Sequence, residues 1–324
     1  MIPTLRQSAQ PTVTNCLPAV DPITPLTTKA NTMSSYKPTI SRKQCMTLAQ
    51  IVATCDTLET AATAVETMAK RCRGNRRKRG TWKYFLTRAA VSLRNGIIPF
   101  EVFAMNGNVK LPFVAFSTLP IVTCPGAGDC ANWCYSLRAW RYPAAFLRQV
   151  CNTLRLRFNK RSIIDAFKAL PVGITLRLYV DGDFDSRETF VFWMNLLRQR
   201  PDVAAYGYSK SWDIILDCSS LIPANYIFNI SSGSKFDGNA EMKARMLALP
   251  SCRGEFIAVK LRRRHAKGFK KYSSHDYHRD VRESAAADGI GKVFSCPGSC
   301  GDCSGAGHVC GIVTIKLPVA IGIH

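Results

Sequence analysis

Seven of the fourteen cysteines fall in two short stretches. The first, CPGAGDCANWCY, spaces Cys124, Cys130 and Cys134 as C-x5-C-x3-C among glycine, proline and aromatic residues. The second, CPGSCGDCSGAGHVC, carries Cys296, Cys300, Cys303 and Cys310, with His308 as a further donor. Thiolates at this spacing on glycine-rich loops can reach one metal site, because glycine lets the chain fold back and amide N–H groups point at sulfur. Four thiolates suit structural zinc and an iron–sulfur cluster equally. Three either borrow a fourth ligand, from Cys151, from the second cluster or from a substrate, or leave a coordination position open for chemistry. Disulfides are not expected, since the chain shows neither a basic-then-apolar leader nor an apolar run of about 18 residues, and reads as cytoplasmic with no membrane span. The remaining cysteines are scattered and read as core or surface residues.

Cys296, Cys300 and Cys303 also have the spacing of the cluster motif of radical S-adenosylmethionine enzymes. In those enzymes the motif follows the first barrel strand, whereas here it lies near the C-terminus. The first cluster occupies the expected place with a different spacing.

A second set of reactive side chains is oxygen-based. The stretch LYVDGDFDS puts Asp181, Asp183 and Asp185 in one loop, where hard carboxylate ligands could hold Mg²⁺ or Mn²⁺ or act as a base. YGYSKS places Tyr206, Tyr208 and Lys210 on one face of a strand by alternation. A tyrosine beside a lysine and a divalent ion is the equipment of a DNA-nicking enzyme, in which the hydroxyl attacks a phosphate. The paired histidines that usually bring the metal to rolling-circle initiators are absent, and His275 and His278 are the nearest substitute.

These groups sit in a chain of 324 residues with a formal charge of +22, which points to a polyanionic partner, DNA first. The basic residues are densest in KRCRGNRRKRG, which offers Arg71, Arg73, Arg76, Arg77, Lys78 and Arg79 as phosphate contacts. Arg262, Arg263 and Arg264 form a second basic run. Trp82, Tyr84 and Phe85 follow the first run and would suit base stacking if exposed, or a core if not.

The elements that must position these residues alternate between strand and helix. LPFVAFSTLPIV, ITLRLYV, VAAYGYS, NYIFNIS and EFIAVKL read as strands; SRETFVFWMNLLRQR, capped by Ser186, and NAEMKARMLAL read as helices, as does the long WRYPAAFLRQVCNTLRLRFNKRSIIDAFKAL. This predicts an α/β fold built of βα repeats, either a partial TIM-barrel-like sheet or an open parallel one, with cysteine-rich metal-binding loops and a helical, basic N-terminal region. Polar residues after the strands would then gather at the carboxyl edge, namely the three aspartates, Ser209, Lys210 and Ser211, and Ser231, Ser232 and Ser234. The divisions expected are a flexible arm over 1–40, a helical basic region over 41–108 and the α/β domain over 109–324.

On CPGAGDCANWCYS, RLYVDGDFDS, YGYSKS and the closing cysteine cluster, the chain resembles the gene product 88 family of mycobacteriophages and its relatives on plasmids and other mobile elements, over about Val109 to Cys310. The resemblance implies a phage- or plasmid-borne origin and a cysteine-dependent α/β domain, and no particular reaction. The expected function is a mobile-element DNA-binding metalloprotein acting in replication or DNA processing, with nicking by Tyr206 or Tyr208 as one version. An iron–sulfur enzyme of radical type and a structural zinc-binding interaction protein are the alternatives.

Overall fold

Seven short strands form the framework: β1 (Val114–Ala115), β2 (Thr175–Leu178), β3 (Ala204–Ser209), β4 (Tyr226–Ser231), β5 (Cys252–Lys260), β6 (Phe294–Ser295) and β7 (Val319–Ile323). All neighbours pair in parallel, in the order β1-β2-β3-β4-β5-β7-β6, and the sheet curls into a half-barrel. The computed structural model describes residues 40–73, 75–78, 80–105, 111–261, 273–301, 303–305 and 307–323, all within the unit Pro38–His324. The predicted arm over 1–40, apart from its last residue, and the run Arg262, Arg263 and Arg264, together with Arg79, lie outside the described residues.

Helices are set by caps that the sequence spells out. Ser41 opens α1 (Arg42–Thr54) with a capping box to Gln44, and Thr57 and Thr81 cap α2 (Leu58–Arg71) and α3 (Trp82–Arg94). The segment after the first cysteine loop is not one helix. It holds α4 (Cys130–Trp133), a 3-10 stretch over Tyr135–Arg141, α5 (Pro143–Phe158) and α6 (Lys160–Lys168). Pro143 starts α5 because its fixed φ and missing N–H suit a first helical position, and Asn159 interrupts the path to α6 by capping it. Ser186 caps α7 (Arg187–Gln199) as the sequence predicts, and α8 (Trp212–Asp217), α9 (Ala240–Ala248) and α10 (Ser274–Ala287) complete the outer layer.

Alternation divides each strand between two environments. Leu176, Leu178, Ala205, Phe228 and Ile230 face outward into a core completed by Phe167, Phe190, Trp193 and Leu197 of α6 and α7. Inward-facing Tyr206, Tyr208, Ile227, Phe256 and Val319 pack instead against Val309, Cys303 and Cys310 of the second cysteine loop, which fills the lumen. The helices α1 to α3 do not stand apart: Leu48, Val52, Val65, Leu86 and Leu93 share a core with Trp140, Phe146, Val150 and Leu154 from the segment that follows the first cysteine loop. Each such fully buried aliphatic side chain contributes about 1.5–3 kcal/mol, so this core ties the N-terminal helices firmly to α5.

The LPFVAFSTLPIV run yields only a two-residue strand, because Pro112 and Pro120 bracket it and cannot donate to a ladder. The C-terminal VAIGI, which the sequence reading passed over, inserts as β7 between β5 and β6.

Candidate active site

The carboxyl edge of the sheet gathers residues that the sequence keeps up to about a hundred positions apart. The first cysteine loop leaves β1 and lies back over the ends of β3 and β4. Gly128 N and Cys130 N both donate to Gly233 O, at 2.9 and 3.2 Å, and Lys235 N donates to Gly126 O at 3.0 Å. Ser234 Oγ donates toward both Gly126 O and Lys210 O, each at 3.1 Å. The approach is close enough to demand glycine. A Cβ on Gly126 would stand 1.8 Å from Lys210 O, and one on Gly233, whose φ is +80°, would meet Cys130 Cβ at 2.7 Å and the Trp133 ring at 2.9 Å.

Cys124, Cys130 and Cys134 of this docked loop are all half-buried. Cys124 and Cys130 each lie within electrostatic reach of Cys134, Lys210 and Asp183. Burial pushes the thiols of Cys124 and Cys130 up, while the nearby Lys210 ammonium pulls them down. Lys210 Nζ donates to Ser231 Oγ at 2.6 Å, so the inward-facing ends of β3 and β4 present an ammonium and a hydroxyl beside the thiols. Two non-glycine residues hold left-handed backbone at the entrances to this region: Ile121, at φ +70° before the cysteine loop, and Tyr179, at φ +55° before the aspartate loop. Strain of this kind persists only where surrounding contacts fix it, as they do at functional sites.

The aspartate loop divides its carboxylates among different partners. Asp181 accepts from Gln149 Nε2 at 2.9 Å, and Trp140 Nε1 donates to the same glutamine at 2.8 Å. Asp183 accepts from Phe184 N, Ser209 Oγ and Lys210 N at 2.7–2.9 Å, clamping the end of β3 to the loop after β2. Asp185 Oδ1 is buried with no hydrogen-bond partner among the described residues. Burial raises the pKa of Asp181 and Asp183. Asp181 and Asp183 thus brace loops, through Gln149 and through the end of β3.

Tyr206 and Tyr208 face the lumen, as alternation predicts. Tyr206 is 2% exposed, and Tyr208 is half-buried against Phe256. Burial raises both hydroxyls well above the ordinary tyrosine value. Arg177, at the inward position of β2, lies over the Tyr208 ring at 4.2 Å and donates from Nη1 toward Cys300 Sγ at 3.9 Å. The signal for Arg177 was present as the one charged residue inside ITLRLYV, and the sequence reading did not use it.

The second cluster lies in the lumen. Gly298 N and Val309 N donate to the sulfurs of Cys296 and Cys303, each at 3.4 Å. Burial pushes the Cys296 thiol up to about 12, with Cys300, Cys303 and Cys310 close enough to add to the rise. His308 is wedged between the rings of Phe113 and Tyr206 at 4.8 and 4.7 Å. Cys151, considered above as a fourth ligand for the first loop, is fully buried in the core shared by α1, α2, α3 and α5 and joins neither cluster. His278 Nδ1 pairs with Ser295 Oγ at 2.8 Å. Among the described residues no three His, Cys, Asp or Glu side chains are gathered as a single bound ion requires.

Of the basic positions, Arg71, Arg73, Arg76, Arg77 and Lys78 are exposed at the end of α2 and in the loop before α3. Of the aromatics after them, Tyr84 is half-buried with Arg88 over its ring at 5.5 Å. Trp82 is buried against Phe146, and Phe85 packs toward Phe100.

An all-parallel half-barrel with a three-cysteine loop docked on its carboxyl edge and a second cysteine loop filling its lumen defines the class of protein. A family model described as gene product 88 matches residues 86–309, more than half of the chain, and the protein belongs to that family. The match begins within α3 and so takes in a helix ahead of the α/β repeats. No significant match exists among curated proteins or solved structures.

Proposed function

We propose that this protein is an iron–sulfur enzyme of radical type acting on a polyanionic, nucleic-acid substrate. The observation that carries the reading is that Cys124 and Cys130 each neighbour Cys134 at the carboxyl edge of a parallel half-barrel. Three thiolates with one open position are what a reactive cluster needs, and the carboxyl edge is where parallel α/β sheets place ligands. When bound, such a cluster would supply one-electron chemistry.

The chain's own residues fit the remaining tasks. Lys210, steadied by Ser231, would offer its ammonium to an anionic group of the substrate. The clamp of Asp183 on Ser209 and Lys210 N would hold the ammonium in place. Cys296, Cys300, Cys303 and Cys310 would hold a second, structural centre, an auxiliary cluster or zinc, with Arg177 offsetting thiolate charge. The DNA-nicking version has less support, because burial keeps the Tyr206 hydroxyl from a duplex phosphate and raises its pKa.

Anaerobic purification with metal analysis and an absorption spectrum tests the proposal. Brown protein with about four irons per cluster supports it. Colourless protein holding stoichiometric zinc at both loops would overturn it in favour of a structural metalloprotein.

A further inference from the structure

The rim of the half-barrel mouth carries a surface that neither the cysteine loops nor the lumen uses. Tyr135 follows Cys134 directly, is 55% exposed, and donates its hydroxyl to Val180 O at 3.0 Å, the carbonyl just before the aspartate loop. Its hydroxyl is therefore anchored at the end of β2, within electrostatic reach of Cys134. Tyr142, 62% exposed, ends the same 3-10 stretch, and the exposed Arg138 and Arg141 lie between the two rings in sequence. Exposed tyrosines flanking two arginines offer flat faces and cations together.

The basic α2–α3 loop ends beside α5, the helix that follows Tyr142. It runs directly into Trp82, whose ring contacts Phe146 one turn into α5, at 5.6 Å; Phe146 in turn contacts Trp140 at 5.3 Å. Tyr142 caps the helix that carries Phe146, and Trp140 leads through Gln149 to Asp181. The starts of α3 and α5 and the aspartate loop are thus joined by successive buried side-chain contacts beneath the two tyrosines' segment. No acidic residue occurs between Glu66 and Glu101, or between Asp129 and Asp165, the two segments that build this end of the molecule.

We infer that this rim is the substrate-binding surface for single-stranded nucleic acid: Arg73, Arg76, Arg77 and Lys78 hold the backbone, and bases stack on Tyr142 and Tyr135, leading one nucleotide toward Cys134 and Lys210. Single strands are preferred over duplex because stacking needs unpaired faces, whereas basic charge alone would take either. The inference rests on the iron–sulfur reading for what happens to the nucleotide but not for its binding.

Anisotropy of labelled oligothymidylate and oligouridylate of about 20 nucleotides, and of the matching duplex, tests it on the full chain both before and after iron–sulfur loading. The expected result is single-strand binding in both states, weakened about tenfold or more by Tyr142→Ala with Arg141→Glu. Arg76→Glu with Arg77→Glu should instead flatten the salt dependence. Bound oligonucleotide should also slow alkylation of Cys130 and Cys134 in the metal-free protein. Binding that favours duplex, is indifferent to Tyr142 and Arg141, or leaves thiol alkylation unchanged would overturn the inference. Failure of the cluster reading would show separately, as colourless protein that still binds the single strand. The thymidylate and uridylate arms tell a DNA substrate from an RNA one.

Discussion

Replacing Gly126 by alanine tests whether the first cysteine loop is positioned by the backbone contact described above. The added methyl would lie 1.8 Å from Lys210 O, 2.2 Å from Lys210 C and 2.7 Å from Ser211 N, all main-chain atoms that no rotamer change can move. Ordinary contact is roughly 3.5 Å, so the loop must lift by about 1.5 Å or more. That movement breaks the bonds from Lys235 N and Ser234 Oγ to Gly126 O, worth about 1 kcal/mol each. Forced repacking adds about 1–3 kcal/mol. The total, roughly 3–5 kcal/mol, is read by urea unfolding, and the loosened thiols should lose most of their iron on anaerobic reconstitution. Gly238 is the control, since a Cβ there meets nothing within 4 Å and its φ is ordinary; Gly238→Ala should be neutral or slightly stabilising. A Gly126→Ala protein with wild-type stability and full iron content would refute the reasoning.

Other expectations follow from the same geometry. Cys124→Ala should abolish loading at the first centre, whereas Cys151→Ala should leave it intact, because Cys151 belongs to the helical core; iron quantitation separates them. Arg253, with none of its surface exposed, donates to Ile315 O, Leu317 O, Glu255 O and Asn229 Oδ1, so Arg253→Met should destabilise by about 3–5 kcal/mol in urea, leaving those acceptors dry and unpaired. Burial lowers the pKa of His278 and His308 below the ordinary histidine value. The folded chain then binds fewer protons than the unfolded one. Their contribution is present above about pH 6.5 and lost as pH falls through the folded values, so stability should decline from pH 7 toward 5. The decline should be shallower in His278→Gln with His308→Phe, measured as the urea midpoint against pH.

Several features of the fold were legible because they are local. Period-two runs such as VAAYGYS and NYIFNIS gave β3 and β4, and Ser186 three residues before Thr189 gave the start of α7. Very short elements were not legible. β1 and β6 have two residues each and exist only because neighbouring strands supply their hydrogen bonds. Likewise WRYPAAFLRQVCNTLRLRFNKR has continuous helical periodicity, yet Asn159 breaks it by capping α6, which periodicity cannot register.

Amino-acid order alone determined the parallel α/β class, the two cysteine loops, the excess of positive charge and the inward alternation of Tyr206, Tyr208 and Lys210, since each depends on residues only a few positions apart. Tertiary structure decided the rest. It sent Cys151 to the helical core, gave Asp181 and Asp183 separate partners, buried Trp82 and filled the lumen with the second cysteine loop. It also seated the first loop on β3 and β4 through Gly126, Gly128 and Gly233. The reason is physical: a close approach between main-chain segments a hundred residues apart leaves only an isolated glycine in the sequence, and many other glycines have no such task.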